Sequence, residues 1–195
     1  MSSGQYISNV VLKIGGKAVE QELNDAVDEI VVDTSLYLPG MFSIRLHDPH
    51  LKWVDDASLD IGKEVEITAE SGQDTGGETG MLIKGEITAL EPQFSAGGKS
   101  TMLVRGYDKS HRLHRGKKTR TFLGKKDSDL VSTIAGEVGL SEKADSTTVT
   151  YDFILQNNQT NMEFLRARAE KRRACPAGVA QPCWASVVVA LPVRA

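Results

Sequence analysis

Apolar and polar residues alternate in short segments along the first half of the chain. In Met41–His47, the side chains of Phe42, Ile44 and Leu46 would lie on one face of a strand. The same alternation, or a high content of β-branched residues, predicts six strands. They are Tyr6–Ile14, Val27–Leu36, Met41–His47, Lys63–Glu70, Met81–Leu90 and Thr101–Tyr107. Because turn signals separate these strands and no long helix is predicted among them, we expect an antiparallel β-sandwich or barrel.

The pattern changes to a mixture of helix and strand after Tyr107. Asp127-Ser128-Asp129 suits the start of a helix, and Gly139 suits the left-handed position at its end. Thr160 and Glu163 form the T-x-x-E pattern of a capping box before a second helix. The predicted order is a helix at Ser128–Gly139, a strand at Thr148–Leu155 and a helix at Asn161–Arg173. The expected fold class is therefore mainly β, with an antiparallel barrel followed by a short helix–strand–helix segment.

The last segment, residues 174–195, differs in composition from everything before it. It contains both cysteines, Cys175 and Cys183, and Arg194 is its only charged residue. Two interpretations stay open. The apolar run Ser186–Leu191 is consistent with a final strand, and the change of composition is also consistent with a fold interrupted near Arg173 by an altered reading frame or a truncated gene. Since no thiol precedes Ala174, we expect no disulfide framework in the main body.

Overall composition is that of an ordinary globular protein. Hydrophobic residues make up 40% of the 195 residues and charged residues 25%. The N-terminus lacks the basic and apolar regions of a signal peptide, and no stretch reaches the roughly 18 consecutive apolar residues that span a bilayer. We therefore expect the protein to start in the cytoplasm.

Candidate catalytic and ligand-binding motifs are weak. Gly98-Lys99-Ser100 resembles the end of a phosphate-binding loop, but the glycine required five residues earlier is replaced by Gln93 and a strand follows. The pairs His47/His50 and His111/His114 lack a cysteine or glutamate at a recognisable zinc spacing, which favours solvated loop histidines. No G-x-S-x-G or H-E-x-x-H signature occurs. We expect no enzyme activity, no cofactor and no metal.

The most unusual feature is a cationic segment, Arg105–Lys126, in which Asp108 is the only acid. The sequence before it is distinctly acidic. Such asymmetry is compatible with nucleic-acid binding, but few aromatic residues are interleaved for base stacking. An acidic face of a neighbouring subunit is the favoured partner, because one chain carries both signs in separate blocks. The candidate interface residues are Arg105, Lys109, Arg112, Arg115, Lys117, Lys118 and Arg120.

This same region resembles a known family. The sequence VRGYDKSHRLHRG at Val104–Gly116 is similar to the segment that closes the first barrel in VgrG-type spike proteins and phage late control D proteins. Thr119–Phe122 (TRTF) and Gln156–Leu165 (QNNQTNMEFL) match later motifs of that family. The resemblance runs in order from about Tyr6 to Arg173, and it is most specific in the second half.

The resemblance implies an architectural role. Members of the resembled family are baseplate hubs of contractile phage tails, type VI secretion systems and extracellular injection particles. They form homotrimers that join the inner tube protein to the spike, with no catalysis, substrate or membrane span in this region. The wording of the motif at Val104–Gly116 leans towards extracellular phage-tail-like particles. In members of that family, the chain continues beyond the position that corresponds to Arg173 and builds a second barrel. The implied domains are a first hub barrel at 5–122, an α/β connecting segment at 123–173 and an atypical tail at 174–195.

Overall fold

The computed structural model describes residues 7–35, 38–72, 79–94 and 100–173. The strands and α-helices are, in chain order, β1 Ile7–Ile14, β2 Lys17–Ala18, α1 Gln21–Asp25, β3 Val27–Asp33, β4 Met41–His47, β5 Glu64–Gly72, β6 Thr79–Phe94, β7 Ser100–Asp108, β8 Lys118–Lys126, α2 Asp127–Glu137, β9 Thr150–Gln159 and α3 Asn161–Arg173. Short 3-10 helices cover Ala57–Leu59 and Lys109–His114. The chain divides into two compact units, Met1–Lys109 and Ser110–Ala195.

The first unit is built on one antiparallel sheet. Its strands follow the order β2-β1-β5-β6-β7-β4-β3, so the described part forms an open half-barrel with β2 and β3 at its edges. All six predicted strands of the first half are present, which confirms the mainly β antiparallel fold. The sequence pattern missed β2 and α1, because a two-residue strand and a five-residue helix are too short to show a period.

The core of the first unit lies on one face of this sheet. Phe42, Ile44 and Leu46 of β4 are buried, as their alternation predicts. Val65 and Ile67 of β5 join them in the same cluster. Each such side chain contributes roughly 1.5–3 kcal/mol by burial, which is sufficient to specify which face of each strand points inward.

Two glycines permit a close approach between neighbouring strands. A Cβ atom at Gly106 would lie 2.2 Å from the Cζ atom of Phe42 and 2.3 Å from the carbonyl oxygen of Glu86. A Cβ atom at Gly85 would lie 2.4 Å from the carbonyl oxygen of Tyr107. The glycine in the G-Y-D sequence is therefore required by packing between β4, β6 and β7.

The second unit has a two-stranded antiparallel sheet, β8–β9, with α2 and α3 packed on it. Its separate core joins both helices to the inner face of this sheet. Phe122 and Phe164 stack with ring centroids 5.9 Å apart, and Ile134 and Ile154 are buried beside them. Strand β8 was not predicted, because cationic residues dominate its sequence and conceal the alternation around Phe122.

The helix ends of the second unit follow the sequence closely. The Thr160 hydroxyl accepts a hydrogen bond from the Glu163 amide at 3.1 Å, and the Glu163 carboxylate accepts one from the Thr160 amide at 2.9 Å. The predicted capping box is thereby confirmed, as is the left-handed Gly139 at φ +69. Helix α2 begins one residue earlier than predicted. Its N-cap is Lys126, whose amide donates to the Asp129 carboxylate at 3.1 Å.

The predicted domain limits at Phe122 and Arg173 stay predictions. Phe122 lies within β8, which pairs with β9 inside the second compact unit. Residues 174–195, with both cysteines and the two interpretations of Ser186–Leu191, lie outside the described residues. Gly98 and Lys99 of the weak phosphate-loop motif also lie outside them.

Candidate interface residues of the cationic segment

The seven candidate interface residues are divided between the two compact units. Arg105 and Lys109 belong to the first unit, and the other five belong to the second. Each group is therefore described within its own unit. Most of these cations contact groups of their own chain, which changes the picture of a uniformly exposed basic segment.

In the first unit, both cations are paired with acids across the sheet. Arg105 on β7 contacts Glu91 on β6 at 3.3 Å, with both side chains nearly half exposed. Lys109 contacts Glu64 at 2.7 Å, and Lys84 contacts the same carboxylate at 2.8 Å. Hydrogen bonds from Lys109, and then from Lys84, hold the pKa of Glu64 below its ordinary value. Exposed pairs of this kind stabilise a fold by at most about 1 kcal/mol each.

In the second unit, Arg120 lies at a polar node between strands and helices. Its guanidinium donates to the Gln156 side-chain oxygen at 2.8 Å and to the Asn161 side-chain oxygen at 3.1 Å. Gln156 and Asn161 are both buried, and the Gln156 amide also donates to Asn161 at 3.2 Å. The guanidinium lies 4.8 Å from the centroid of the Phe122 ring. This residue therefore connects β8, β9 and α3 within the fold.

Glu137 at the end of α2 joins two of the candidate residues. Its carboxylate contacts Arg120 and accepts a hydrogen bond from Lys118 at 3.0 Å. Burial of the carboxylate raises its pKa, but the hydrogen bonds and charges of Arg120 and Lys118 together outweigh burial, so the pKa is lowered. The structure thus brings Lys118 and Arg120 together on one carboxylate of their own chain.

Arg112 and Arg115 lie on or directly after the 3-10 helix Lys109–His114. Arg112 donates to the carbonyl oxygen of Val138 at 3.0 Å, where a cation complements the negative end of α2. Arg115 lies 2.7 Å from the Nε2 atom of His111, which must accept because guanidinium only donates. His111 is buried, so its interpretation as a solvated loop histidine is wrong. His111 and His114 lie in the 3-10 helix Lys109–His114, and His47 lies on β4, so none of these three is a loop histidine.

Lys117 is exposed, and no ion pair involving it occurs within the described residues. The same part of the chain contains no cluster of three His, Cys, Asp or Glu residues suited to a metal ion. No helix in it is long and apolar enough to cross a membrane. The assignment of the seven cations to an interface stays a prediction.

Sequence reasoning missed an apolar surface beside these cations. Leu123, Phe153 and Leu155 are 70%, 59% and 45% exposed, on the outer face of the two-stranded β8–β9 sheet. Leu123 pairs directly with Phe153, and Leu155 lies opposite Thr121. The signal was present in the sequence: Phe153-Ile154-Leu155 is a continuous apolar run, which places apolar side chains on both faces of a strand.

Comparison with known proteins identifies related sequences and folds. The sequence matches the family model of the Alg8 N-terminal domain over residues 7–175. No curated protein matches it. The 43 kDa tail protein of prophage MuSo2 from Shewanella oneidensis shares the fold with a TM-score of 0.61 and 16% identity, over 85% of this chain and 48% of that one.

Two further solved structures are similar. A tail protein from Neisseria meningitidis MC58 gives a TM-score of 0.54 and 16% identity, over 84% of this chain and 45% of that one. The Francisella PdpA–VgrG complex gives a TM-score of 0.57 and 9% identity, over 87% of this chain and 26% of the matched one. The chain thus spans less than half the length of each solved structure described. At these identities the likeness establishes a shared fold.

Proposed function

We propose that this chain, which belongs to the family of the Alg8 N-terminal domain, is a structural component of a phage-tail-like contractile injection assembly. The observation that carries the proposal is its fold. The half-barrel sheet and the helix–strand–helix elements together match a prophage tail protein over 85% of this chain. Within such an assembly, the proposed role is that of a hub subunit between the inner tube and the spike.

The contacts of the motif residues support an architectural role over a catalytic one. Gly106 is required by strand packing, Arg120 and Gln156 form a buried polar node, and Thr160 with Glu163 begins α3. The resemblance to hub proteins therefore rests on residues that maintain a scaffold. By analogy with those hub proteins, the proposal includes homotrimer formation and contact with tube and spike proteins.

Nucleic-acid binding is the less supported alternative. A phosphate backbone is bound by cations that exchange their counterions for phosphates. In this protein Arg105, Lys109 and Lys118 pair with carboxylates of their own chain. Binding to phosphate would have to replace these ion pairs. Each cation would therefore contribute less net free energy to nucleic-acid binding.

Particle purification from a cell that encodes the protein tests the proposal. We expect a tagged chain to co-sediment with sheathed particles, and a deletion strain to lose them until the wild-type gene is returned. Normal particles from the deletion strain would overturn the proposal. Retention of labelled double-stranded DNA that falls steeply with added salt would favour the nucleic-acid alternative instead.

A further inference from the structure

A groove runs along one edge of strand β9. It has a volume of about 300 Å³, and residues of β9 and α3 line it together. Phe153 and Leu155 contribute from the exposed face of β9, and Phe164 and Ala167 contribute from α3. Because β8 occupies the other edge of β9, the groove lies at the edge that faces away from β8. Apolar side chains therefore flank this edge on both sides.

The backbone of β9 is open along this groove. Within the described residues β9 pairs only with β8, so the N–H and C=O groups of its other edge have no strand partner there. An extended segment laid along such an edge gains main-chain hydrogen bonds, and adjacent apolar surfaces select its side chains. The groove therefore has the form of a strand-docking site.

The position of the groove sets the composition of a strand that fits it. Successive side chains of such a strand point to opposite faces of the sheet. One set would lie beside Phe153 and Leu155, and the other would point towards Phe164 and Ala167 of α3. The fitting strand is therefore apolar at consecutive positions, as strands buried on both faces are. A strand that alternates with polar residues would place polar groups against one of the two walls.

The last segment of the same chain contains a run of this composition. Ser186–Leu191 has the sequence SVVVAL, with five consecutive apolar residues and no charge. Its three valines favour a strand, and Pro192 follows at the position where a strand would end. Left in water, an uncharged segment of this kind tends to pair with other copies of itself. Docking along a free edge removes that tendency.

The chain brings this segment close to the groove. Helix α3 begins directly after the end of β9, and its Arg168 stacks 4.5 Å from the centroid of Tyr151, near the start of β9. Helix α3 therefore runs back along β9, and it ends at Arg173, about 8 Å beyond Arg168. Residues 174–185 can span up to about 40 Å when extended, whereas β9 is about 33 Å long. Ser186–Leu191 can thus reach any part of the groove.

We propose that Ser186–Leu191 docks along the free edge of β9, as a third strand of the sheet in the second unit. The tether through α3 gives the segment an effective concentration of about the millimolar range at the groove, which favours docking within one chain over pairing between copies. This inference goes beyond the proposed function and does not depend on it. It selects the final-strand interpretation of residues 174–195, and it makes the β9 edge an internal contact of the chain.

Amide hydrogen exchange in the full chain tests the inference. We expect the wild type to protect those β9 amides that do not bond to β8. Neighbouring N–H groups of a strand point to opposite edges, so the double variant V187P/V188P removes at least one N–H that would face β9. In this variant the same β9 amides should exchange at least about tenfold faster, because their strand partner is lost. Amides bonded between β8 and β9 should change little.

Matched controls separate docking from other effects of proline. G178P/A180P introduces two prolines into the connecting residues 174–185 and should leave exchange in β9 as it is in the wild type. F153S should accelerate exchange of the same β9 amides, because it removes an apolar contact from the groove. Circular dichroism should show all variants folded, since Phe153 is exposed and the four prolines lie outside both hydrophobic cores.

Three results would overturn the inference. Free-edge amides of β9 that exchange as fast in the wild type as in V187P/V188P would show that Ser186–Leu191 does not dock there. An equal loss of protection in G178P/A180P would show an indirect effect of proline. Protection that disappears on dilution would assign the edge to a second copy. The proposed function fails differently, through absence of the chain from purified particles, so the two failures are distinguishable.

Discussion

Gly106 shows how strongly a single residue constrains this fold. Replacing it with alanine places a methyl group against the Phe42 ring and the Glu86 carbonyl, with separations of 2.2 and 2.3 Å that require strands to shift. We expect G106A to lower the free energy of unfolding by about 3 kcal/mol, since overpacked cores lose stability on this scale. Urea unfolding provides the measurement. Gly80→Ala is the control, because no atom lies within 4 Å of its Cβ position. An equal effect of the two changes would contradict the packing account.

Arg120 is the second residue whose environment leads to a prediction. R120A would leave the side-chain oxygens of the buried Gln156 and Asn161 without the guanidinium that donates to them. We expect a loss of about 2–3 kcal/mol in thermal or urea unfolding, because the Gln156 oxygen is left without a donor while the Asn161 oxygen keeps only the Gln156 amide. Lys143→Ala, at an exposed position, should change stability little. If R120A is equally mild, Arg120 is free to act at an interface, as the sequence suggested.

At the scale of elements, Glu137 connects helix α2 to β8 through its ion pairs with Lys118 and Arg120. The pKa of this carboxyl is below its ordinary value of 4.5 in the folded chain, where Lys118 and Arg120 outweigh its burial. Its stabilising contribution is therefore complete above about pH 4.5 and is lost as the pH falls through the lower folded pKa. We expect E137Q to reduce stability at pH 7 and to flatten its dependence on acid below pH 4.5. Urea unfolding of both proteins across this pH range provides the measurement. If the free energy of unfolding depends on pH with the same slope in E137Q as in the wild type, the prediction is wrong.

The start of α3 gives a second prediction at this scale. The Thr160 hydroxyl and the Glu163 carboxylate satisfy amides that the first turn leaves without partners. T160A should cost about 1 kcal/mol, and T160S, which retains the hydroxyl, should cost much less. The rate of amide hydrogen exchange in the first turn of α3 should rise in T160A and not in T160S. Equal exchange in both variants would show that packing of Phe164 and Leu165, rather than the cap, holds this end.

At the scale of the whole molecule, the two units differ in core and in charge. Residues 1–109 contain 18 acidic and 9 basic residues, a net charge of −9, whereas residues 110–195 contain 8 and 14, a net charge of +6. Each unit has its own hydrophobic cluster. We expect I44A and I134A, each costing about 2–5 kcal/mol, to accelerate hydrogen exchange mainly in their own unit. Uniform acceleration across the chain by either variant would instead indicate one cooperative unit.

The sequence by itself determined the features that depend on neighbouring residues. Alternation identified Phe42, Ile44 and Leu46 as the buried face of β4, because a strand repeats every two residues. The capping box at Thr160 and the left-handed Gly139 were equally local, since each depends on positions within one turn.

Only the tertiary structure decided which charges are exposed and which are used internally. Arg120 and Glu137 are 17 residues apart, and Arg120 and Asn161 are 41 apart, so no local pattern could reveal their contact. The apolar run Phe153–Leu155 was visible in the sequence. Only the register of β8 and β9, with α2 and α3 covering the opposite face, decided that Phe153 and Leu155 stay exposed beside Leu123. Charge and hydropathy are properties of the sequence, but exposure depends on which distant segments pack together.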